Sequence, residues 1–108
     1  MNKPCWVYMI ECRGGGVYVG SAQDVPTRYT RHCAGIGSLY TRLNPPVRLL
    51  AYQEFSTRTV AMREEKRLKK LRFWEKLAWC QDLWRAGLEN PFETAEGVCI
   101  VNGDDMGK

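Results

Sequence analysis

Three consecutive glycines, Gly14-Gly15-Gly16, stand between two short runs that alternate with period two. That arrangement admits little other than a β-hairpin. In the first run Trp6, Tyr8, Ile10 and Cys12 alternate with Val7, Met9 and Glu11, so β-branched and aromatic side chains recur at every second position, as in a half-buried strand. The glycines accept the positive φ that a tight reversal needs, and Val17-Tyr18-Val19 resumes as a second strand that Gly20 ends.

The next elements carry local start and stop chemistry. Asp24 followed by Pro26 predicts a helix start: a carboxylate accepts orphan amides, and a proline already set to helical φ occupies the first turn. The helix runs to about Ala34, with Gly35 as its cap. Arg28 and His32 are four apart and share one face. Gly35–Ser38 reads as loop, and Pro45-Pro46 forbids regular structure before the next element. Val47–Phe55 reads as a third strand covered on both sides, with Val47, Leu49, Ala51 and Phe55 on one face. Ser56 or Thr57 caps a helix beginning near Thr59. On it Val60, Ala61, Leu68, Leu71, Trp74 and Leu77 gather on one stripe, away from Arg63, Lys66, Lys70 and Arg72. Phe73–Ala86 continues as a second helical stretch, kinked from the first or separate. The expected order is β-β-α-β-α-α: an α+β domain with a small antiparallel three-stranded sheet flanked by helices. Residues 1–88 form the domain, and residues 89–108 a loosely attached tail.

Charge divides the chain at the same place. The whole carries 16 Lys+Arg against 12 Asp+Glu, a net of +4. Residues 1–88 hold 15 basic and 7 acidic side chains, so their net is +8. The remainder sets Lys108 against Glu89, Glu93, Glu96, Asp104 and Asp105, a net of −4. A basic body points to a polyanionic partner. The longest stretches without charge, Gly14–Gln23 and His32–Thr41, are far short of the roughly 18 apolar residues a membrane span needs. The first residues lack the apolar run of a signal peptide. Five cysteines, an odd number with no C-x-x-C, argue against a disulfide scaffold or zinc knuckle and for free thiols in a reducing cytoplasm.

Three local features remain: Tyr8 and Tyr18 on adjacent strands, the Arg28/His32 face, and the cluster Ala61-Met62-Arg63-Glu64-Glu65-Lys66-Arg67 with Lys69 and Lys70. Singly, each has an ordinary packing or surface explanation. Their order and spacing resemble the GIY-YIG nuclease superfamily. Trp6-Val7-Tyr8 and Tyr18-Val19-Gly20 stand at the two strand motifs, Arg28 to His32 at the Arg-x-x-x-His helix, and Ala61-Met62-Arg63-Glu64-Glu65 at the helix that carries a glutamate. Gly35-Ile36-Gly37-Ser38-Leu39-Tyr40-Thr41-Arg42 is similar to a loop of the small stand-alone bacterial members. Trp6 departs from the pattern, standing in place of the first glycine.

The resemblance implies a divalent-metal-dependent endonuclease that hydrolyses phosphodiester bonds of DNA. It makes Glu65 the carboxylate ligand of one Mg²⁺ or Mn²⁺ ion, and Arg28 the group that holds the phosphate. Tyr8 becomes the general base, with Tyr18 and His32 orienting water or phosphate. A free tyrosine, with a pKa of about 10, is a poor base at neutral pH. His32 is therefore an alternative base, and the choice between Tyr8 and His32 stays open. So does a second choice: the helical wheel sets Glu64 nearer the apolar stripe than Glu65, whereas the family register selects Glu65. Arg31, Arg42, Arg63, Lys66, Arg67, Lys69 and Lys70 are the expected contacts to DNA phosphates, giving salt-sensitive affinity without base specificity. Two other readings stand beside this one. The first is a catalytically silent nucleic-acid-binding module of the same fold. The second is an interaction protein that docks a partner through Trp74, Trp79 and Trp84.

Overall fold

The computed structural model describes residues 3–86. The expected acidic tail, with Cys99, lies outside the described residues. The elements run β1 (Cys5–Cys12), β2 (Val17–Ala22), α1 (Val25–Cys33), α2 (Leu39–Leu43), β3 (Pro46–Phe55), α3 (Arg58–Lys69) and α4 (Phe73–Arg85). This is the α+β order β-β-α-β-α-α, with one five-residue helix, α2, added within the segment that follows Gly35. The strands form one antiparallel sheet in the order β2-β1-β3.

Local chemistry explains the boundaries. Gly14 and Gly15 take φ of 90° and 92° in the hairpin turn, and Gly15 N–H donates to the Cys12 carbonyl at 3.1 Å. Asp24 caps α1, its carboxylate accepting the Thr27 amide at 3.1 Å. Thr57 does the same for α3, accepting Val60 N–H at 3.2 Å.

β1 is the central strand, and both of its faces are covered rather than one. Val7 and Met9 meet Val19, Leu50 and Ala51 of the sheet, Ala61 and Leu68 of α3, and Cys80 and Leu83 of α4. Tyr8, Ile10 and Cys12 pack on the other face with Leu49, Val25 and Tyr29. Burial of a side chain the size of Leu68, which is 0 % exposed, stabilises by about 1.5–3 kcal/mol. β3 is covered on both sides only at its centre, and the expected single face of Val47, Leu49 and Ala51 does not form. Met9 pairs with Ala51 but Ile10 with Leu49, and Glu11 pairs with Arg48 but Cys12 with Pro46. The extra residues, Leu50 and Val47, are bulged and reset the alternation. Leu49 therefore joins the α1 face while Leu50 and Ala51 join the α3–α4 face.

The apolar stripe projected from α3 into α4 also fails at two residues: Val60, in the first turn of α3, is 38 % exposed, and Trp74 lies beyond a break in the helix. The chain leaves helix geometry at Lys70–Arg72 and restarts at Phe73, where the Arg72 amide donates to Glu75 Oε1 at 2.8 Å. The wheel drawn across that break loses phase. Ala61 and Leu68 are buried and Leu71 and Leu77 pack against them, but Trp74 is 61 % exposed, with the Arg72 guanidinium 5.4 Å from its ring centroid. Trp79 and Trp84 pack against the core, and Trp84 Nε1 donates to the Leu50 carbonyl at 3.0 Å. Their role is structural, which removes two of the three tryptophans from the docking reading. Among the described residues Cys5, Cys12, Cys33 and Cys80 are free thiols, and no helix is long and apolar enough to cross a membrane.

Candidate active site

Antiparallel register brings the two strand motifs side by side. Tyr8 of β1 lies opposite Gly20 of β2, and Ile10 lies opposite Tyr18. Tyr8 and Tyr18 both belong to the α1 side of the sheet, with ring centroids 6.3 Å apart. The absence of a side chain at Gly20 makes room for the phenol of Tyr8. α1 places His32 over this pair: its ring centroid is 4.9 Å from that of Tyr18, and its Nε2 is 2.9 Å from the Tyr8 hydroxyl.

His32 is buried, and its far nitrogen, Nδ1, lies 2.7 Å from Thr41 Oγ1. Ser38, the cap of α2, holds Thr41 in turn: Thr41 N–H donates to Ser38 Oγ at 3.2 Å, and the two hydroxyls are 2.9 Å apart. A Cβ on Gly37 would overlap His32 Nδ1, so glycine lets this segment close on the imidazole.

Electrostatics follow from the burial. His32 is pushed down to about 4, first by burial and then by the Arg28 and Arg31 guanidiniums, so it is neutral at pH 7. Tyr8 is driven well above its ordinary value, mainly by burial and secondarily by Tyr18. The charge and hydrogen bond of Arg28 oppose that rise, and Glu65 adds to it. Tyr8 is thus a protonated phenol in contact with a neutral imidazole.

The two glutamates of α3 are almost equally buried, with side-chain exposures of 20 % for Glu64 and 19 % for Glu65, so burial does not distinguish them. Their partners do. Glu64 is gripped through both oxygens by Arg67, at 2.9 and 2.6 Å, and its carboxyl is held below the usual range chiefly by that contact. Glu65 faces β2: Ser21 Oγ donates to its Oε1 at 2.5 Å, and Lys69 Nζ lies 2.7 Å from its Oε2. Glu65, and not Glu64, is the glutamate whose charge acts on Tyr8.

A cleft of about 720 Å³ opens beside these groups, lined by Ser21, Thr27, Arg28, Arg31, Gly37 and Arg58 among others. Arg28 is exposed there, as is Arg31. Of the other basic residues expected on DNA, Arg42 is exposed on α2, and Arg63, Lys66 and Lys70 are exposed on or just after α3. Arg67 and Lys69 are engaged by Glu64 and Glu65. Arg58 in the cleft, Ser21 on Glu65, and the Thr41–Ser38 pair behind His32 are additions that local spacing did not single out. The glycine at 37 was the one signal for the last of these.

No three His, Cys, Asp or Glu side chains converge into a metal cage among the described residues. The donor set instead fits a hard divalent ion held by one carboxylate, with waters and phosphate oxygens completing its shell. Glu65 at the side of an open site has that character, and an ion bound there would displace the ammonium of Lys69 from Oε2.

The family model of the GIY-YIG catalytic domain matches residues 4–74. A UPF0213 protein of Xanthomonas axonopodis pv. citri is 43 % identical over 79 residues, covering 73 % of this chain and 78 % of the relative. A UPF0213 protein of Streptococcus pneumoniae is 33 % identical over 98 residues, 91 % of this chain and 99 % of the relative. A solution structure of a UPF0213 protein from Bacillus halodurans is 33 % identical and covers 83 % of this chain and 90 % of that one, with a TM-score of 0.44.

Proposed function

The chain belongs to the family of GIY-YIG catalytic domains, which are of nuclease type, and from that premise we propose that it is a divalent-metal-dependent DNA endonuclease. The observation that carries the proposal is the contact between the buried Tyr8 hydroxyl and neutral His32, beside Arg28, Glu65 and a basic cleft.

The tyrosine's weakness as a base has a resolution in this contact. A phenol whose ionisation is suppressed by burial does not wait as a phenolate. It relays instead: Tyr8 Oη takes a proton from the attacking water while its own proton passes to His32 Nε2, and the water oxygen attacks phosphorus as the bond to the leaving oxygen breaks. The resulting imidazolium is disfavoured in the resting site by burial and by Arg28 and Arg31. A phosphate in the cleft supplies opposing negative charge and draws both guanidiniums to itself, which favours protonation of His32 when substrate is bound. In the resting site the Arg28 guanidinium acts on the Tyr8 hydroxyl. Its transfer to phosphate leaves that oxygen open to water and stabilises the charge on the transferring group. Glu65 is the residue that would hold Mg²⁺ or Mn²⁺, with Ser21 fixing one of its oxygens. The ion supplies neutralisation of the charge that develops on the phosphate and leaving oxygens. Arg31 adds a phosphate contact within the cleft, and Arg42, Arg63, Lys66 and Lys70 add contacts outside it. Free cysteines among the described residues support a reducing compartment, the cytoplasm.

Incubation of the purified protein with supercoiled plasmid, in Mg²⁺ or Mn²⁺ and in chelator, tests the reading. Metal-dependent nicking that Tyr8→Phe and Glu65→Ala abolish is the expected result. Cleavage indifferent to chelator or to both substitutions refutes it, and binding without cleavage favours the silent module.

A further inference from the structure

We propose that Thr41, backed by Ser38, is a positioning residue that fixes the tautomer of His32: the proton sits on Nδ1, leaving Nε2 as acceptor for the Tyr8 hydroxyl. The catalytic consequence rests on the relay proposed above, but the tautomer itself is read without any cleavage.

In the resting protein the hydrogens of this site have only protein partners to choose from, and their donors and acceptors can be counted. Tyr8 is 0 % exposed, and His32 and Thr41 are 1 % exposed, so each hydrogen needs a partner inside the protein. A neutral imidazole offers one donor and one acceptor. The Arg28 guanidinium that acts on Tyr8 has no acceptor to offer, so the neighbour for the phenol proton is Nε2 at 2.9 Å. A hydrogen on Nε2 would set two donors against each other and strand the phenol proton. With the hydrogen on Nδ1 the whole chain closes. Nδ1–H donates to Thr41 Oγ1 at 2.7 Å, and the Thr41 hydroxyl donates to the Ser38 carbonyl at 3.3 Å. The Ser38 hydroxyl donates into Thr41 Oγ1 at 2.9 Å, and its oxygen accepts Thr41 N–H at 3.2 Å. The geometry that caps α2 is therefore the same geometry that presents an acceptor to the imidazole. Gly37 permits the approach, since any side chain there would overlap the Nδ1 edge of the ring.

The chain contains a single histidine, so its imidazole nitrogens give an unambiguous signal. In ¹⁵N-histidine-labelled protein, long-range ¹H–¹⁵N correlation at pH 7 should show Nδ1 protonated and Nε2 as the bare nitrogen. Thr41→Val, which keeps the shape and removes the acceptor, should move the proton toward Nε2, and Thr41→Ser should restore the original pattern. If the relay holds, Thr41→Val lowers kcat about a hundredfold, the range of a lost general base, with KM for DNA little changed, and Thr41→Ser recovers most of it. A wild-type spectrum with the proton on Nε2 overturns the proposal, as does a folded Thr41→Val that keeps Nδ1–H. Should Thr41→Val not fold, the wild-type spectrum decides alone. The expected tautomer in a protein that cuts no DNA refutes the nuclease reading and leaves the tautomer assignment standing.

Discussion

A Cβ at Gly20 would lie 2.5 Å from the hydroxyl oxygen of Tyr8 and 2.6 Å from its Cζ, so the second strand motif ends in glycine where the phenol of the first must lie. Gly20 does not take positive φ, so alanine is acceptable to its backbone and the penalty is steric alone. Because Tyr8 is packed among Tyr18, His32 and the sheet, it has little room to yield. Gly20→Ala is expected to cost about 1–3 kcal/mol in urea unfolding and to abolish plasmid nicking by moving the hydroxyl off His32. Full activity in a folded Gly20→Ala protein would contradict this.

Acid sensitivity follows from the same contact. The folded-state pKa of His32 lies near 4, below its ordinary 6.5. Between those values the unfolded chain binds a proton that the folded chain refuses, so stability rises with pH across this window. The contribution is complete above about pH 6.5, falls as pH drops, and levels off below about 4. Wild type and His32→Gln, unfolded in urea at a series of pH values, should give curves that diverge across that window, with wild type losing more on acidification. Parallel curves would contradict the burial of a neutral His32.

Glu64 and Glu65 should separate in two measurements. Arg67 is 57 % exposed in its pair with Glu64, so Glu64→Gln is expected to cost only about 0.2–1 kcal/mol and to leave cleavage intact. Glu65→Gln should remove Mn²⁺ binding in a titration without DNA and remove cleavage with it. Loss of Mn²⁺ binding in Glu64→Gln alone would transfer the role to Glu64.

What was legible in the sequence was what short-range chemistry encodes. Gly14 and Gly15 turn the hairpin, Asp24 and Thr57 cap α1 and α3, and Arg28 and His32 share a face at one helical turn. The two-sided burial of β1 was not legible. Val7 and Met9 are as apolar as Ile10, so alternation had two faces to choose from and no polar side to reject. Trp74 was assigned to the core because a helical wheel assumes continuous phase, and the break at Lys70–Arg72 cancels it. The links that complete the site are tertiary. Ser21 meets Glu65 across 44 positions and Thr41 meets His32 across nine. Serine and threonine at such positions look like ordinary cap and strand residues until the fold brings an acceptor to them.

The cleft allows a last test that does not depend on chemistry at the scissile bond. Arg58 lines it with Arg28 and Arg31, although it lies at the first position of α3, with α2 and β3 between it and α1 in sequence. If duplex phosphates occupy the cleft, each lost contact should reduce the slope of log K against log salt by about 0.9. Arg58→Ala is therefore expected to weaken binding of fluorescent DNA in chelator, to do so similarly across sequences, and to flatten the salt dependence by roughly one contact. Arg85, paired with Asp82 near the end of α4, is the control whose removal should leave the slope unchanged. Equal slopes for wild type and Arg58→Ala would place the phosphate path outside the cleft, along the exposed Arg63, Lys66 and Lys70 instead.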